Sequence, residues 1–527
     1  MTFPNLTDRR LANKTIATSV LFHFVSLMMA ARFPSLGLTR LAMFGTLFLY
    51  VILLPVFWLW HRVTRVERPD DSLSDIRKSF NESERPPYDP RRYFAFHKGV
   101  FVGLNDRRKP VYIPWDDYNT THMQVIGTTG AGKGVLTTMM LIQCALHGQR
   151  VIIFDPKNDK HAPSVVALAA RQAGLPFHLI DLRPEAPPQV NPFRFATYAE
   201  MKELLITTFN LADTGTAADF YRLLDRKAAR DVIRRAGSNP TIKRMLEVAD
   251  ESPFITDKDA VAFQEKLTEM TELDAIDTDD GPNLPELLAA PGFLYVIGNI
   301  RSVESLQCQM LLLLRILQII EKRPETLADR LPIALMLDEF KYILSAPALQ
   351  ALGTVRDKNC HLTLAHQSIG DLEECTGLDP AAVRGAVLEN TGIKFIYRAK
   401  AFETAEWASD LSGSIVAKTR RVDIQQSAFD AATAQYTEVE RALLTVNDIY
   451  AMPKLVGMLF GVGIAKRCQA ARMPKGERPQ LKPAPRAPEI IRRRKTKKQT
   501  DPAEANANET APSTSLGSAA PPDENLT

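Results

Sequence analysis

Hydrophobic positions along this chain fall into two regimes: one long apolar block near the front, then short apolar runs between helical patterns. Leu41 to Trp60 reads LAMFGTLFLYVILLPVFWLW, with no charged residue. About 20 residues at a 1.5 Å rise span the roughly 30 Å hydrocarbon core of a bilayer. Trp58 and Trp60 close that run, where interfacial aromatics belong. Pro55 is placed to kink the helix. Thr15 to Ala31 is a shorter apolar run that carries His23. Arg9, Arg10 and Lys14 precede it, and Arg62, Arg65 and Arg68 follow the second run. The connector between them has only Arg32 and Arg40. The positive-inside rule then predicts two spans, 15–31 and 41–60, with both chain ends cytoplasmic and a small loop outside. A signal peptide is the competing reading of the first run. No small-residue cleavage site precedes the second run, which disfavours it. Residues 1–66 read as a membrane anchor, and 67–92, with Pro69, Pro86, Pro87 and Pro90, as a linker.

The later runs have a different rhythm. Met123–Ile126, Val151–Asp155, Phe177–Asp181, Phe293–Ile297, Ile333–Leu337, His361–Ala365 and Ile393–Tyr397 are continuous apolar segments separated by helical periodicity. Buried strands alternating with helices predict an α/β domain with a parallel sheet covered on both faces. Residues 93–196 and 281–473 make up this domain. Between them, 197–280 shows helical periodicity, many charges and no convincing strand, and reads as an inserted all-α domain.

The chemistry sits at strand ends. Directly after Met123–Ile126 comes Gly127-Thr128-Thr129-Gly130-Ala131-Gly132-Lys133-Gly134. A nucleotide polyphosphate needs backbone N–H groups at close range and one cation. The glycines allow that approach and Lys133 supplies the charge. Gly134 departs from the pattern, because a P-loop normally places a Ser or Thr hydroxyl on Mg²⁺ there. Leu331–Glu339 is an apolar strand ending in two carboxylates. That order predicts Asp338 at the Mg²⁺ shell and Glu339 near the γ-phosphate of ATP, polarising a water. Lys133 and Asp338 are 205 positions apart, more than a compact P-loop core needs, which is a second argument for the insertion. Arg356 ends the following helix and Gln367 the next strand. A guanidinium reaching a neighbour's γ-phosphate would offset transition-state charge, and a strand-end Gln can sense that phosphate. His366 reads as structural.

Charge and cysteine usage change the picture in two places. The 527 residues carry a net charge of +4, but residues 466–527 hold +6 of it, leaving −2 elsewhere. The body is therefore near neutral, and bulk charge does not mark it for nucleic acid. Five scattered cysteines without a CxxC pair argue against a disulfide framework or a zinc site and for a reducing compartment. From Pro474 the chain turns to Pro, Ala, Thr and basic residues, then to acidic and small ones, which predicts a disordered tail over 474–527. Its run Arg492–Lys498 suits DNA, anionic lipid or an acidic partner.

These pieces together resemble the type IV coupling proteins of conjugation and type IV secretion, the TraG/TraD family, from the paired spans to about Met473. The resemblance is carried by His122–Gly134, Phe154-Asp-Pro-Lys157, Asn191-Pro-Phe193, Leu337-Asp-Glu-Phe340, Ala365-His-Gln-Ser368 and Arg441-Ala-Leu-Leu444, in order and spacing. It implies a RecA-like P-loop motor domain with the all-α domain at its cytoplasmic mouth, behind a two-helix transmembrane anchor in the bacterial inner membrane. It implies a homo-oligomer, usually hexameric, that uses ATP and Mg²⁺ to deliver a relaxase-bound single-stranded DNA to a type IV secretion channel. It implies Lys133 on phosphate, Asp338 on Mg²⁺, Glu339 in hydrolysis, Arg356 as a finger and Gln367 as a sensor. One branch of the family has Gly-Lys-Gly at the position of Gly134, so that residue need not mean a dead motor. Two other functions compete. An adaptor recruiting protein effectors, with little DNA pumping, would use the same motor; a neighbouring relaxase gene would favour DNA. A chromosome pump of the FtsK kind is disfavoured because no winged-helix pattern follows the motor.

Overall fold

A computed structural model of the chain describes residues 86–257, 259–423 and 433–485, with Met28 and Arg32 apart from them. Apart from Met28, the predicted spans lie outside the described residues, as do most of the linker and tail.

Among the described residues thirteen strands form: β1 (Val100–Leu104), β2 (Pro110–Ile113), β3 (Met123–Ile126), β4 (Arg150–Asp155), β5 (Phe177–Asp181), β6 (Gly292–Ile297), β7 (Ile333–Asp338), β8 (Cys360–His366), β9 (Ile393–Tyr397), β10 (Ser414–Asp423), β11 (Thr433–Ala442), β12 (Val456–Phe460) and β13 (Lys466–Gln469). Eleven share one sheet in the order β2-β1-β13-β12-β9-β3-β8-β7-β4-β6-β5. From β9 to β5 every pairing is parallel. From β9 outward through β12, β13, β1 and β2 every pairing is antiparallel. The seven predicted strands are the parallel part, and the four-stranded antiparallel flank extends it. β10 and β11 form a separate two-stranded hairpin.

Alternation along the parallel strands feeds two cores. Ile152, Phe154, Leu335, Leu337 and Leu364 face one side. Val151, Ile153, Ala334, Met336 and Ala365 face the other, beneath α1 (Lys133–Leu146) and α2 (Ala162–Ala173). The first side is covered by α3 (Tyr198–Thr208), α4 (Asp219–Ala236), α5 (Ile242–Ala249), α6 (Val261–Met270), α7 (Val303–Glu321), α8 (Ala346–Thr354) and α9 (Pro380–Asn390). Helices α3–α6 fill the predicted insertion with no strand among its described residues. Phe209, Met245 and Phe263 join the same buried cluster as Ile152 and Leu335, so the insertion and the sheet share a continuous core.

Local chemistry fixes where this junction starts. Thr197 and Glu200 form a capping box at the head of α3. Glu200 Oε1 also receives Arg315 Nη1 and Lys322 Nζ, both at 2.9 Å, which ties α3 to α7. Among the described residues α7 is the one helix long and apolar enough to cross a membrane, and most of it is buried inside the protein.

Residues 474–485 depart from the expected disorder. They form an extended strap, held where Gly476 N donates to Ser164 O at 3.3 Å and Ala484 N to Pro188 O at 2.7 Å. Thr278 Oγ1 donates to Pro485 O at 2.7 Å. On the strap's side backbone groups make all three contacts, so its composition gives no sign of them. At the other end of the domain Tyr88, inside the predicted linker, packs edge-on against Phe101 and donates to Gln469 O at 2.5 Å.

Candidate functional site

Strands β3, β8, β7 and β4 are neighbours, and all four end on the same side of the sheet. In open α/β sheets the crevice beyond the carboxyl ends of the strands is where ligands bind. Here it is a cleft of about 500 Å³ that includes the loop after β3, Asp155, Asp338 and Glu339.

The loop after β3 is shaped by its own backbone. Gly130 and Gly132 have φ of 78° and 129°, conformations that disfavour a side chain. A Cβ on Gly132 would also come within 2.9 Å of Leu455 Cδ2. Ala131 N donates to Thr128 O at 3.1 Å, and Leu455 N to Ala131 O at 2.8 Å. Tyr397 Oη donates to Gly132 O at 3.1 Å. Lys133 opens α1 and folds back, its ammonium donating to Gly127 O at 2.6 Å. Burial holds that ammonium below the ordinary lysine range, while Glu339 and Asp338 pull it back up. The hydroxyl of Thr128 is buried with no partner.

Opposite the lysine stand three carboxylates. Asp338, at the end of β7, is pushed up to about 7 by burial first, then by Asp155 and Glu339. Asp155, at the end of β4, is also raised, chiefly by burial. Its Oδ2 accepts from Tyr295 Oη at 2.9 Å and Asp159 N at 2.7 Å, and its Oδ1 has no partner. Glu339 has φ 42° and ψ 47°, a left-handed conformation unusual for a non-glycine residue and typical of functional sites. Its Oε1 meets Lys157 Nζ at 2.7 Å and Gln367 Nε2 at 3.2 Å, while its buried Oε2 has no partner.

This is a good fit to a magnesium–polyphosphate ligand. Buried acids that repel one another, with orphaned oxygens, are relieved by a divalent cation. Mg²⁺ is usually held by one or two carboxylates plus phosphate oxygens and water. Among the described residues no group of three or more His, Cys, Asp or Glu forms a ready-made metal cage. The loop amides and Lys133 would hold phosphates, and Asp338 with Asp155 the metal.

The predicted residues are thus largely brought together. Thr128, Thr129, Gly130, Gly132, Lys133, Gly134, Asp338 and Glu339 line the cleft, and Ala131 is buried beneath it. Gln367 reaches it through Glu339 and through Thr129 Oγ1 at 3.4 Å. Arg356 is not brought to it. It lies exposed on the turn Val355–Lys358, which leads into β8 at the opposite end of the sheet. His366 is fully buried between Gln124 and the Ser368 carbonyl, with burial lowering it to about 4, so it is a neutral structural side chain. Gly134 has open space around it, and Thr138, one turn further along α1, also faces the cleft.

Sequence reasoning gave no role to Asp155, Lys157 or Tyr295. The signal was available for the first two: an apolar strand ending in Asp-Pro-Lys, next after the P-loop helix, puts both at the nucleotide end of the sheet.

Residues 332–454 match the family described as the TraM recognition site of TraD and TraG. Residues 100–320 match the central domain of the helicase HerA. Over 332 residues the chain is 34% identical to Mobilization protein A of Escherichia coli, a match covering 62% of this chain. The chain spans about 60% of the length of that relative. Among solved structures, the unbound form of the bacterial conjugative coupling protein TrwBdeltaN70 superposes with a TM-score of 0.54 at 16% identity, over 75% of this chain and 93% of that one. The plasmid coupling protein TrwB in complex with ADP and Mg²⁺ gives 0.53 at 15% identity, over 75% and 93%. At such identities the likeness speaks for the fold, an α/β architecture.

Proposed function

We propose that the chain, which is similar to the TraG/TraD-type coupling proteins, is a membrane-anchored ATPase motor that recruits a relaxase–DNA complex and drives single-stranded DNA through a type IV secretion channel. The observation that carries this reading is the convergence of Lys133, Asp155, Asp338, Glu339 and Gln367 at the carboxyl end of a parallel sheet. The ligand is ATP with Mg²⁺, in keeping with the TrwB complexes with ADP and Mg²⁺ and with a non-hydrolysable ATP analogue. Bound Mg²⁺–ATP supplies a polarised phosphoanhydride. Lys133 exchanges the Gly127 carbonyl for phosphate oxygens. Asp338 and Asp155 would hold the metal, and Gly134 offers it no hydroxyl. Oε2 of Glu339 accepts the proton of the attacking water, and Gln367 keeps that carboxylate in place. The anchor, 1–66, holds the motor on the cytoplasmic face of the inner membrane, and a homo-hexamer lets Arg356 reach a neighbour's site.

The direct test is Lys133→Ala in a mating assay with membrane fractionation. Loss of DNA transfer with normal membrane localisation is expected, and normal transfer overturns the motor reading.

A further inference from the structure

The strap after β13 closes one side of the nucleotide cleft, and neither the P-loop nor the carboxylate strands account for it. Arg472, Met473 and Lys475 line that cleft together with Lys454 and Leu455. Arg472 and Lys475 are exposed and have no hydrogen-bond or ion-pair partner among the described residues. Cations so placed are solvated at little cost and available to an anion. The floor of the same cleft holds the acids of the metal site, so a ligand that satisfies both walls carries a metal on one side and free anionic oxygens on the other.

The strap is rooted beside the P-loop and tied to the helical insertion. Ala470 N donates to Leu455 O at 2.8 Å, and Leu455 N to Ala131 O at 2.8 Å, so two backbone hydrogen bonds join the strap to the phosphate loop. Leu455 itself packs on Gly132. Beyond the cleft the strap lies close on α2, where a Cβ on Gly476 would meet Leu168 Cβ at 2.8 Å. The Arg478 guanidinium donates to Asn158 Oδ1, beside the strand end that carries Asp155. The strap then ends on Pro188 and Thr278, at the two junctions of the insertion with the sheet.

We propose that residues 470–485 are a nucleotide clamp: Arg472 and Lys475 bind the solvent-facing oxygens of the nucleoside triphosphate's polyphosphate, and the strap carries occupancy of the P-loop to the helical insertion. The inference rests on the nucleotide reading above and adds two contact residues and a route to it. A flap that merely covers the cleft would predict the opposite sign, since its removal would favour binding.

The experiment uses the full chain in detergent or nanodiscs, with a fluorescent ATP analogue and Mg²⁺ as the probe. Arg472→Ala/Lys475→Ala should weaken binding about tenfold or more, from two lost charge-assisted contacts. The charge-conserving pair Arg472→Lys/Lys475→Arg should keep most of the affinity. Hydrogen exchange over 470–485 should slow on adding nucleotide in the wild type and not in the alanine pair. Unchanged or tighter binding by the alanine pair, or unchanged exchange in the wild type, overturns the clamp. If the wild type and Lys133→Ala alike bind no nucleotide, it is the nucleotide reading that falls, and the clamp with it.

Discussion

Lys157 Nζ lies 2.7 Å from Glu339 Oε1, and Gln367 Nε2 shares that same oxygen at 3.2 Å. The carboxylate is thereby held by one oxygen while the other is buried and unpartnered, on a residue that lines the cleft. A base that must take a proton from water needs this division, one oxygen to orient and one to react.

Lys157→Met removes the cation from this arrangement and leaves Glu339 beside Asp338 without its ion pair. ATPase turnover should fall about 10- to 100-fold, the range of a mispositioned general base. Nucleotide affinity should change much less. Turnover measured beside a nucleotide-binding titration checks it; equal losses in both would point to a merely structural lysine.

Asp338 separates stability from function. Its carboxyl titrates near 7 in the folded chain and near 3.8 in an unfolded one. The folded state therefore binds the proton more tightly, and stability falls as pH rises from about 4 to 7. Asp338→Asn should stabilise the nucleotide-free protein at pH 8 by a few kcal/mol, with the gain shrinking steadily below pH 7. The same variant should lose Mg²⁺-dependent nucleotide binding. Thermal denaturation with and without Mg²⁺–ATP, at pH 8 and 5, reads both effects.

How much of this was legible in the sequence depends on what each element buries. Val151–Asp155 and Ile333–Asp338 are interior parallel strands, apolar on both faces, and so stand out as runs. Lys466–Gln469 is an equally real strand of the same sheet, yet it reads Lys-Arg-Cys-Gln, and β12 carries Gly457 in its interior. Lys466–Gln469 owes its place to backbone pairing with β12 and with the distant β1 rather than to an apolar run of its own. The P-loop and the Asp338-Glu339 pair were visible because their chemistry needs particular residue types in order. Asp155 was not singled out, since a strand ending in one acid is common; only its position beside β7 brings it to Asp338. The strap escaped because its prolines and charges resemble the tail that follows.

Gly132 and Gly134, two residues apart, should respond in opposite ways. Gly132 has φ 129°, and a Cβ there would press on Leu455. Gly132→Ala should cost about 1–3 kcal/mol in stability and abolish nucleotide binding. At Gly134 a Cβ would meet nothing within 4 Å, and the backbone is helical. Gly134→Ser should add about 0.5 kcal/mol of stability from helix propensity alone. It also offers the hydroxyl that Mg²⁺ lacks, so the Mg²⁺ concentration for half-maximal ATPase activity should fall. A magnesium titration of the variant decides this; an unchanged midpoint would mean that water or Thr138 already fills the position.

Arg356 can serve catalysis only across a subunit boundary. It is exposed on the turn before β8, at the end of the sheet away from Lys133. Arg356→Ala should lower ATPase activity by about 10³-fold, the lower end for an arginine finger, only in the assembled oligomer. Lys133→Ala should be inactive for a different reason, because it removes the phosphate cation from its own site. Mixing the two inactive proteins is therefore informative. Where an Arg356→Ala subunit binds nucleotide and a Lys133→Ala neighbour supplies its intact Arg356, a complete site is restored. Mixed oligomers should then hydrolyse ATP well above either parent, with a maximum near equal proportions. If Arg356 acts within its own subunit, or is a solvated helix-end arginine, the mixture gains nothing over its parents.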